Sequence, residues 1–303
     1  MRSKVLAALA ALAVATAARA ETSSLLTFKD ILAMPHSGGG QKIAYGAGPQ
    51  QYGELYTPKT KGAHPLIVMI HGGCWRADLP GLELQQPLTD ALVAHGWAVW
   101  NLEYRRIGHE GGAYPGTFKD VAAGIDAVRG FAKSNHIDLG RVVFMGHSAG
   151  GHLAAWAAGR PRIASTSPLW TKDPLLPNAV VTLAGLNDLE TYREKGTDAC
   201  GGPGTVDSLV DAKARGEAAY DDTSPARLLP LDRGQIVVSA EHDHVIGPPL
   251  GEAYGSKAMK AGDPVQVVTI QGAGHFELID PGSTAWKTLF PLVDALGGLP
   301  TKP

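Results

Sequence analysis

The stretch "RVVFMGHSAGGHLAAW" (residues 141–156) sets Ser148 between an apolar run and a helical pattern, with Gly146 two residues before it and Gly150 two after. The run Val142, Val143, Phe144, Met145 has the continuous apolar, β-branched character of a strand buried on both faces. The segment after the serine is apolar on nearly every side, which predicts a helix sandwiched inside the molecule. A G-x-S-x-G pattern in that setting is a strand-turn-helix elbow. Its serine is held in a strained backbone, and the residues two before and two after it must lack bulk because they crowd together. With 38 glycines among 303 residues the pattern alone is weak. Its strand-in, helix-out context carries it.

Outward from the elbow the chain alternates. "QKIAYG" and "YGELYTP" read as early strands, and "PLIVMI", "WAVWNLEY", "NAVVTLAG", "GQIVVSA" and "VQVVTI" as later ones. Helical patterns lie between or after most of them. One has Pro87 in its first turn, Leu88 and Leu92 on one face and Gly96 past its end. Another has Thr117 as an expected N-cap, with Phe118, Val121, Ala122, Ile125 and Val128 on one face. Two-sided apolar strands alternating with helices predict an α/β fold, a mostly parallel sheet with helices on both faces. Residues 186–233 break the rhythm with many Gly, Pro, Asp and Ala. Such an excursion is expected to form a cap or wall over a site. Residues 21–303 read as one domain.

Composition narrows the function classes. The formal net charge is -2, and no basic run follows the extreme N-terminus, so nucleic acid is excluded as an expected partner. Residues 1–20 carry Arg2 and Lys4, an apolar stretch over 5–17, and Ala18-Arg19-Ala20. That is the pattern of a signal peptide, with a mature start near Glu21 and a secreted or periplasmic destination. The apolar part is short for a membrane span, and no membrane association is expected of the mature form. Two cysteines occur, Cys74 and Cys200. In an oxidising compartment they have the option of pairing, and as buried thiols they would behave as small hydrophobes. The sequence leaves this open, together with the oligomeric state.

A serine hydroxyl needs a base. Among 11 histidines, His275 stands in "GAGHFELID", a glycine-rich loop after the last expected strand, where sites of parallel sheets assemble. His147 and His152 neighbour Ser148 in sequence, but an elbow turns such side chains away from the nucleophile. The base needs an acid. "SAEHDHVIGP" follows the next-to-last strand and offers Asp243, with Glu241 and Asp188 of "AGLNDL" as rivals. Asp243 stands furthest into its loop, and the order Ser148, Asp243, His275 suits a hydrolase triad. His242 and His244 flank Asp243 without a third convergent ligand, so no metal is expected. For the oxyanion, "MIHGGCW" follows the first buried strand. There the N–H groups of Gly72 and Gly73, with that of Ala149, are the expected donors, and His71 is expected to buttress the loop.

With these residues in place, the chain resembles the α/β-hydrolase superfamily. It is most similar to its esterase/lipase branch with an H-G-G-x-W oxyanion loop, which includes kynurenine-formamidase-like enzymes and small-acyl carbohydrate esterases. The resemblance runs from "LYTP" through "HGGCW", "LEYRR", "GHSAGG", "AEHDHVIGP" and "GAGHF". It implies the α/β-hydrolase fold, Ser148 as nucleophile, His275 as base, Asp243 as acid, and Gly72, Gly73 and Ala149 as oxyanion donors. Cys74 stands where one relative type has a third glycine, and Gly247 where many have valine or proline. The expected activity is hydrolysis of a small-molecule ester through an acyl-enzyme, without a cofactor. An amidase, formamidase or peptidase with the same triad is the rival enzyme, although an exported leader does not suit a tryptophan-catabolic formamidase. A binding protein on an inactive hydrolase scaffold is the rival outside enzymes. Trp75, Trp170, Tyr192 and Phe276 are candidate pocket walls.

Overall fold

The computed structural model describes residues 25–300; the expected leader and its cleavage point lie outside the described residues. In chain order the elements are α1 (Phe28–Leu32), β1 (Gln41–Ala44), β2 (Tyr52–Tyr56), β3 (His64–Ile70), α2 (Gln86–His95), β4 (Ala98–Leu102), α3 (Gly116–Asp126), α4 (Val128–Phe131), β5 (Ile137–His147), α5 (Ala149–Ala158), β6 (Ala179–Leu183), α6 (Leu189–Lys195), α7 (Gly202–Val210), α8 (Ala212–Arg215), β7 (Gly234–Ala240), α9 (Pro248–Ala261), β8 (Val265–Ile270) and α10 (Thr284–Leu296). The strands form one sheet in the order β1-β2-β4-β3-β5-β6-β7-β8. β1 and β2 join antiparallel, and every pairing from β4 to β8 is parallel. This is the mostly parallel α/β sheet that the alternation predicts, in the α/β-hydrolase form that the resemblance implies.

Strands that read as continuous apolar runs are buried on both faces. All residues of β3, β4 and β6 are buried, because helices cover both sides of a parallel sheet. α5 is buried along its whole length, against β5 and β6. Five of the largest fully buried side chains are tryptophans 75, 97, 100, 156 and 286. Each indole N–H has an acceptor: His152, Asp294, the Gly124 carbonyl, the Asp222 carbonyl and the Leu278 carbonyl respectively. Their apolar area is therefore buried without orphaning a donor.

Helix ends follow local chemistry with one correction. Pro87 lies in the first turn of α2, and Gly96 caps its end in the left-handed region at φ 107°. Thr117 is not the N-cap of α3. The helix begins at Gly116 after Pro115, and the buried Thr117 hydroxyl donates instead to the Arg105 carbonyl at 2.6 Å. A tertiary acceptor has taken the hydroxyl that a cap would use.

Sheet order decides where the loops meet. From β3 the chain steps to β4 on one side and returns to β5 on the other, so chain direction across the sheet reverses at β3 and opens a crevice at the carboxyl ends. Residues 71–75 leave β3 there, and Ser148 leaves β5. Asp243 follows β7, and His275 follows β8. Residues 186–233 hold α6, α7, α8 and short 3-10 turns, and Cys200 in this excursion is disulfide-bonded to Cys74.

Candidate active site

Ser148 occupies the turn between β5 and α5 at φ 56°, ψ -124°, a conformation that a residue with a Cβ rarely adopts and that costs on the order of 1–3 kcal/mol. The surroundings enforce it. The Ser148 N–H donates to the Leu183 carbonyl at the end of β6 at 2.8 Å, and its carbonyl accepts from the Gly151 N–H at 2.9 Å. A Cβ on Gly146 would lie 2.1 Å from the Gly150 carbonyl oxygen, and one on Gly150 would lie 2.0 Å from the Ile70 carbonyl oxygen. The first contact is the mutual crowding that the motif requires. The second adds a packing against β3 that the motif alone does not reveal. Ser148 is 3% exposed.

His275 and Asp243 meet directly. The His275 Nδ1–H donates to Asp243 Oδ2 at 2.7 Å, with both side chains nearly buried. Asp243 Oδ1 accepts from the N–H groups of Val245 at 2.7 Å and Ile246 at 2.8 Å. These bonds fix the carboxylate, and its second oxygen fixes the imidazole tautomer. The rival acids are occupied elsewhere. Asp188 caps α6 through the Thr191 N–H and pairs with Lys257. Burial pushes its carboxyl up, and the bonds from Lys257 and Thr191 outweigh burial and hold it below its usual range. Glu241 is exposed and accepts from the Gly272 N–H at 2.8 Å.

Ser148 and His275 are joined through a residue that sequence reasoning set aside. His147 is fully buried, and burial, with His275 beside it, holds its imidazole well below the usual range. The ring is therefore neutral, and its Nε2–H donates to the His275 backbone carbonyl at 3.0 Å. The two rings lie 4.4 Å apart. His147 thus ties the loop after β8 to the elbow. Among the described residues no hydrogen bond from Ser148 Oγ to His275 Nε2 is formed.

The loop after β3 lies against the elbow. A Cβ on Gly72 would stand 3.1 Å from Ser148 Cβ and 2.9 Å from the His147 carbonyl oxygen, so the Gly72 backbone approaches Ser148 as only glycine allows. Gly73, Cys74 and Trp75 follow with φ of 94°, 51° and 55°. Ala149 opens α5 directly after the serine. The Tyr104 hydroxyl donates to the His71 carbonyl at 2.8 Å. The His71 ring stacks on Tyr104 and faces Glu103 at 3.1 Å. Burial would raise the Glu103 carboxyl, but His71 and Arg106 outweigh it and bring it down to about 2. The Trp75 Nε1–H donates to His152 Nδ1 at 3.1 Å, and the His152 Nε2–H donates to the Thr223 carbonyl at 2.8 Å. Burial lowers His152 to about 4, so it is neutral with its proton on Nε2.

Sequence reasoning therefore missed His147, His152, Glu103 and Tyr104 as supports. A partial signal existed: "GHSAGGH" and "HGGCW" each hold one member of the Trp75–His152 pair, 77 residues apart. Of the four candidate walls, Trp75 and Tyr192 are buried and Trp170 is 43% exposed. Phe276 packs edge-on against His275 at 5.1 Å.

A sheet of this order, with an elbow serine on β5 and a His–Asp pair on the loops of the last two strands, defines an α/β-hydrolase. The family model BD-FAE matches residues 54–249, well over half the chain. The chain belongs to this α/β-hydrolase family of esterases, among the carboxylic ester hydrolases. Kynurenine formamidase of Drosophila melanogaster is 23% identical over 78% of this chain and 75% of its own length. Probable carboxylesterase 5 of Arabidopsis thaliana is 28% identical over 77% of each. Among solved structures, esterase B from Lactobacillus Rhamnosis superposes with a TM-score of 0.72 at 20% identity, over 85% of both chains. A truncated carbohydrate esterase from gut microbiota gives 0.71 at 19%, over 87% of this chain and 97% of that one. At these identities the structural likeness is one of fold.

Proposed function

We propose that the chain is an exported serine esterase acting on small carboxylic esters. One observation carries the reading: His275 Nδ1 lies 2.7 Å from Asp243 Oδ2, while the same loop is bonded to the elbow that bears Ser148. In the proposed reaction Ser148 Oγ attacks the ester carbonyl and His275 Nε2 takes its proton. Asp243 stabilises the resulting imidazolium. The tetrahedral oxyanion is held by backbone N–H groups of Ala149 and of Gly72 or Gly73. Collapse expels the alcohol, which receives the proton from His275, and leaves an acyl-serine. Water activated by His275 then releases the acid and restores Ser148. No step draws on a cofactor.

Export rests on the leader pattern of residues 1–20, and the Cys74–Cys200 bond suits an oxidising compartment. The excursion 186–233 is read as a wall over the site within a single domain. Its helices are short, the longest being the nine residues of α7, which supports small or soluble substrates over long-chain lipids. A formamidase with the same triad is the second reading, favoured by the kynurenine formamidase likeness. Ser148→Ala is the test, with a short-chain nitrophenyl ester and an aryl formamide assayed side by side. Loss of ester turnover is expected, with the formamide slower in the unaltered enzyme. Unchanged ester turnover would refute the assignment. N-terminal sequencing of exported protein is expected to start near Glu21, and an intact Met1 would refute export.

A further inference from the structure

The loop after β3 makes an unusual demand on its backbone. Gly73, Cys74 and Trp75 are consecutive left-handed residues, and two of them carry a Cβ, which disfavours that region. Such a run persists only where its surroundings over-determine it. Its ends are held by identified bonds. Tyr104 holds the His71 carbonyl, the Trp75 indole is fixed by His152, and the Trp75 carbonyl accepts from the Ile107 N–H at 2.7 Å. In the middle, Cys74 is fixed by its bond to Cys200, across 126 residues. Cys200 is itself anchored. It ends a 3-10 turn whose cap, Thr197, accepts from the Ala199 N–H, and the Thr197 hydroxyl donates to the Val245 carbonyl at 3.1 Å. Val245 is the residue whose N–H holds Asp243 Oδ1. Residues 197–200 thus form a strap, bonded at one end to the loop of the proposed acid and at the other to the loop of the proposed oxyanion donors.

We propose that the Cys74–Cys200 bond is a positioning device for the reaction: it pins Cys74 in the left-handed region and so fixes the Gly72 and Gly73 N–H groups against Ser148. This rests on the esterase reading above. Cut at Cys200, the loop is free to relax Cys74 toward ordinary φ values, and the donors shift while the rest of the site stays assembled. The effect belongs to the transition state, since the donors act on charge that develops there.

The test compares Cys200→Ala with Cys74→Gly/Cys200→Ala, measuring kcat, KM and thermal unfolding for each. Cys200→Ala is expected to lose about tenfold or more in kcat, short of the full loss of an oxyanion donor, with KM within about twofold. Glycine at position 74 accepts φ near 51° without a tether, so the double variant is expected to recover most of the lost kcat. Its unfolding temperature is expected to stay close to that of Cys200→Ala, because the strain glycine relieves at a left-handed position offsets the freedom it adds to the unfolded chain. Recovery of kcat without recovery of the stability lost with the bond is a result that a purely structural bond does not produce. An unchanged kcat in Cys200→Ala would overturn the proposal, as would a double variant no faster than the single one. So would failure of both variants to fold, since the tether is assigned to local loop geometry. The esterase reading fails separately: it falls if Ser148→Ala stays active, whatever the cysteine variants do.

Discussion

Asp243→Asn tests the His–Asp contact with almost no change in shape. The Asp243 carboxylate is buried, with Oδ1 engaged by two backbone N–H groups and Oδ2 by His275 Nδ1 at 2.7 Å. An asparagine keeps its carbonyl oxygen on Val245 and Ile246, because those partners are donors. Its amide N–H then faces His275 Nδ1, which must become an acceptor. The imidazole proton moves to Nε2, the atom that receives the serine proton in the proposed reaction. The proposed base is thereby lost although every side chain stays in place. The same tautomer inversion in other triads costs about 10⁴ in kcat, equivalent to about 5 kcal/mol of transition-state stabilisation. Stability should change far less, by about 1 kcal/mol, since two of the three bonds survive. The assay is kcat and KM on a short-chain nitrophenyl ester, with urea unfolding alongside and Asp188→Asn and Glu241→Gln as controls. A variant retaining kcat within tenfold of the unaltered enzyme would refute the assignment, decisively so if Asp188→Asn were the inactive chain.

Gly72→Ala should lower kcat by about 10² with the fold intact, because the new methyl would meet Ser148 Cβ at 3.1 Å and the His147 carbonyl oxygen at 2.9 Å; unaltered kinetics would move the donors elsewhere. Gly146→Ala should destabilise by about 3 kcal/mol or more, because its Cβ meets backbone of Gly150 at 2.1 Å and backbone has no rotamer to yield; urea unfolding checks this, and a shift under 1 kcal/mol would contradict the elbow's crowding. His152 supplies a pH dependence. Its folded value is lowered to about 4 from 6.5, so between those values the unfolded chain binds the proton and the folded one does not. Stability should fall as pH drops from about 6.5 to 4, by about 3 kcal/mol from this group. His152→Gln should show a shallower decline in urea midpoints over that window, and an identical slope would dismiss the contribution.

The strands were legible because a parallel sheet covered on both faces demands continuous apolar runs, and such runs are visible in "PLIVMI" and "RVVFM" without any partner. The elbow was legible for a related reason: a strained serine turn needs glycine at fixed spacing, so local sterics write a pattern into adjacent residues. Thr117 shows the limit of such local rules. Its cap-like position was right in sequence, and a carbonyl twelve residues upstream claimed its hydroxyl. The sequence favoured Asp243 over Asp188 and Glu241 by its place further into the loop, but all three follow strands in suitable loops, and a contact with His275 cannot be read from position alone. Only the fold sends Asp188 to Lys257 and α6, leaves Glu241 in solvent, and turns Asp243 onto His275. The cysteine pairing and the Trp75–His152 bond were equally silent. A contact between distant residues depends on which loops the sheet order brings to one crevice, and a chain read residue by residue carries propensity and periodicity but no distances.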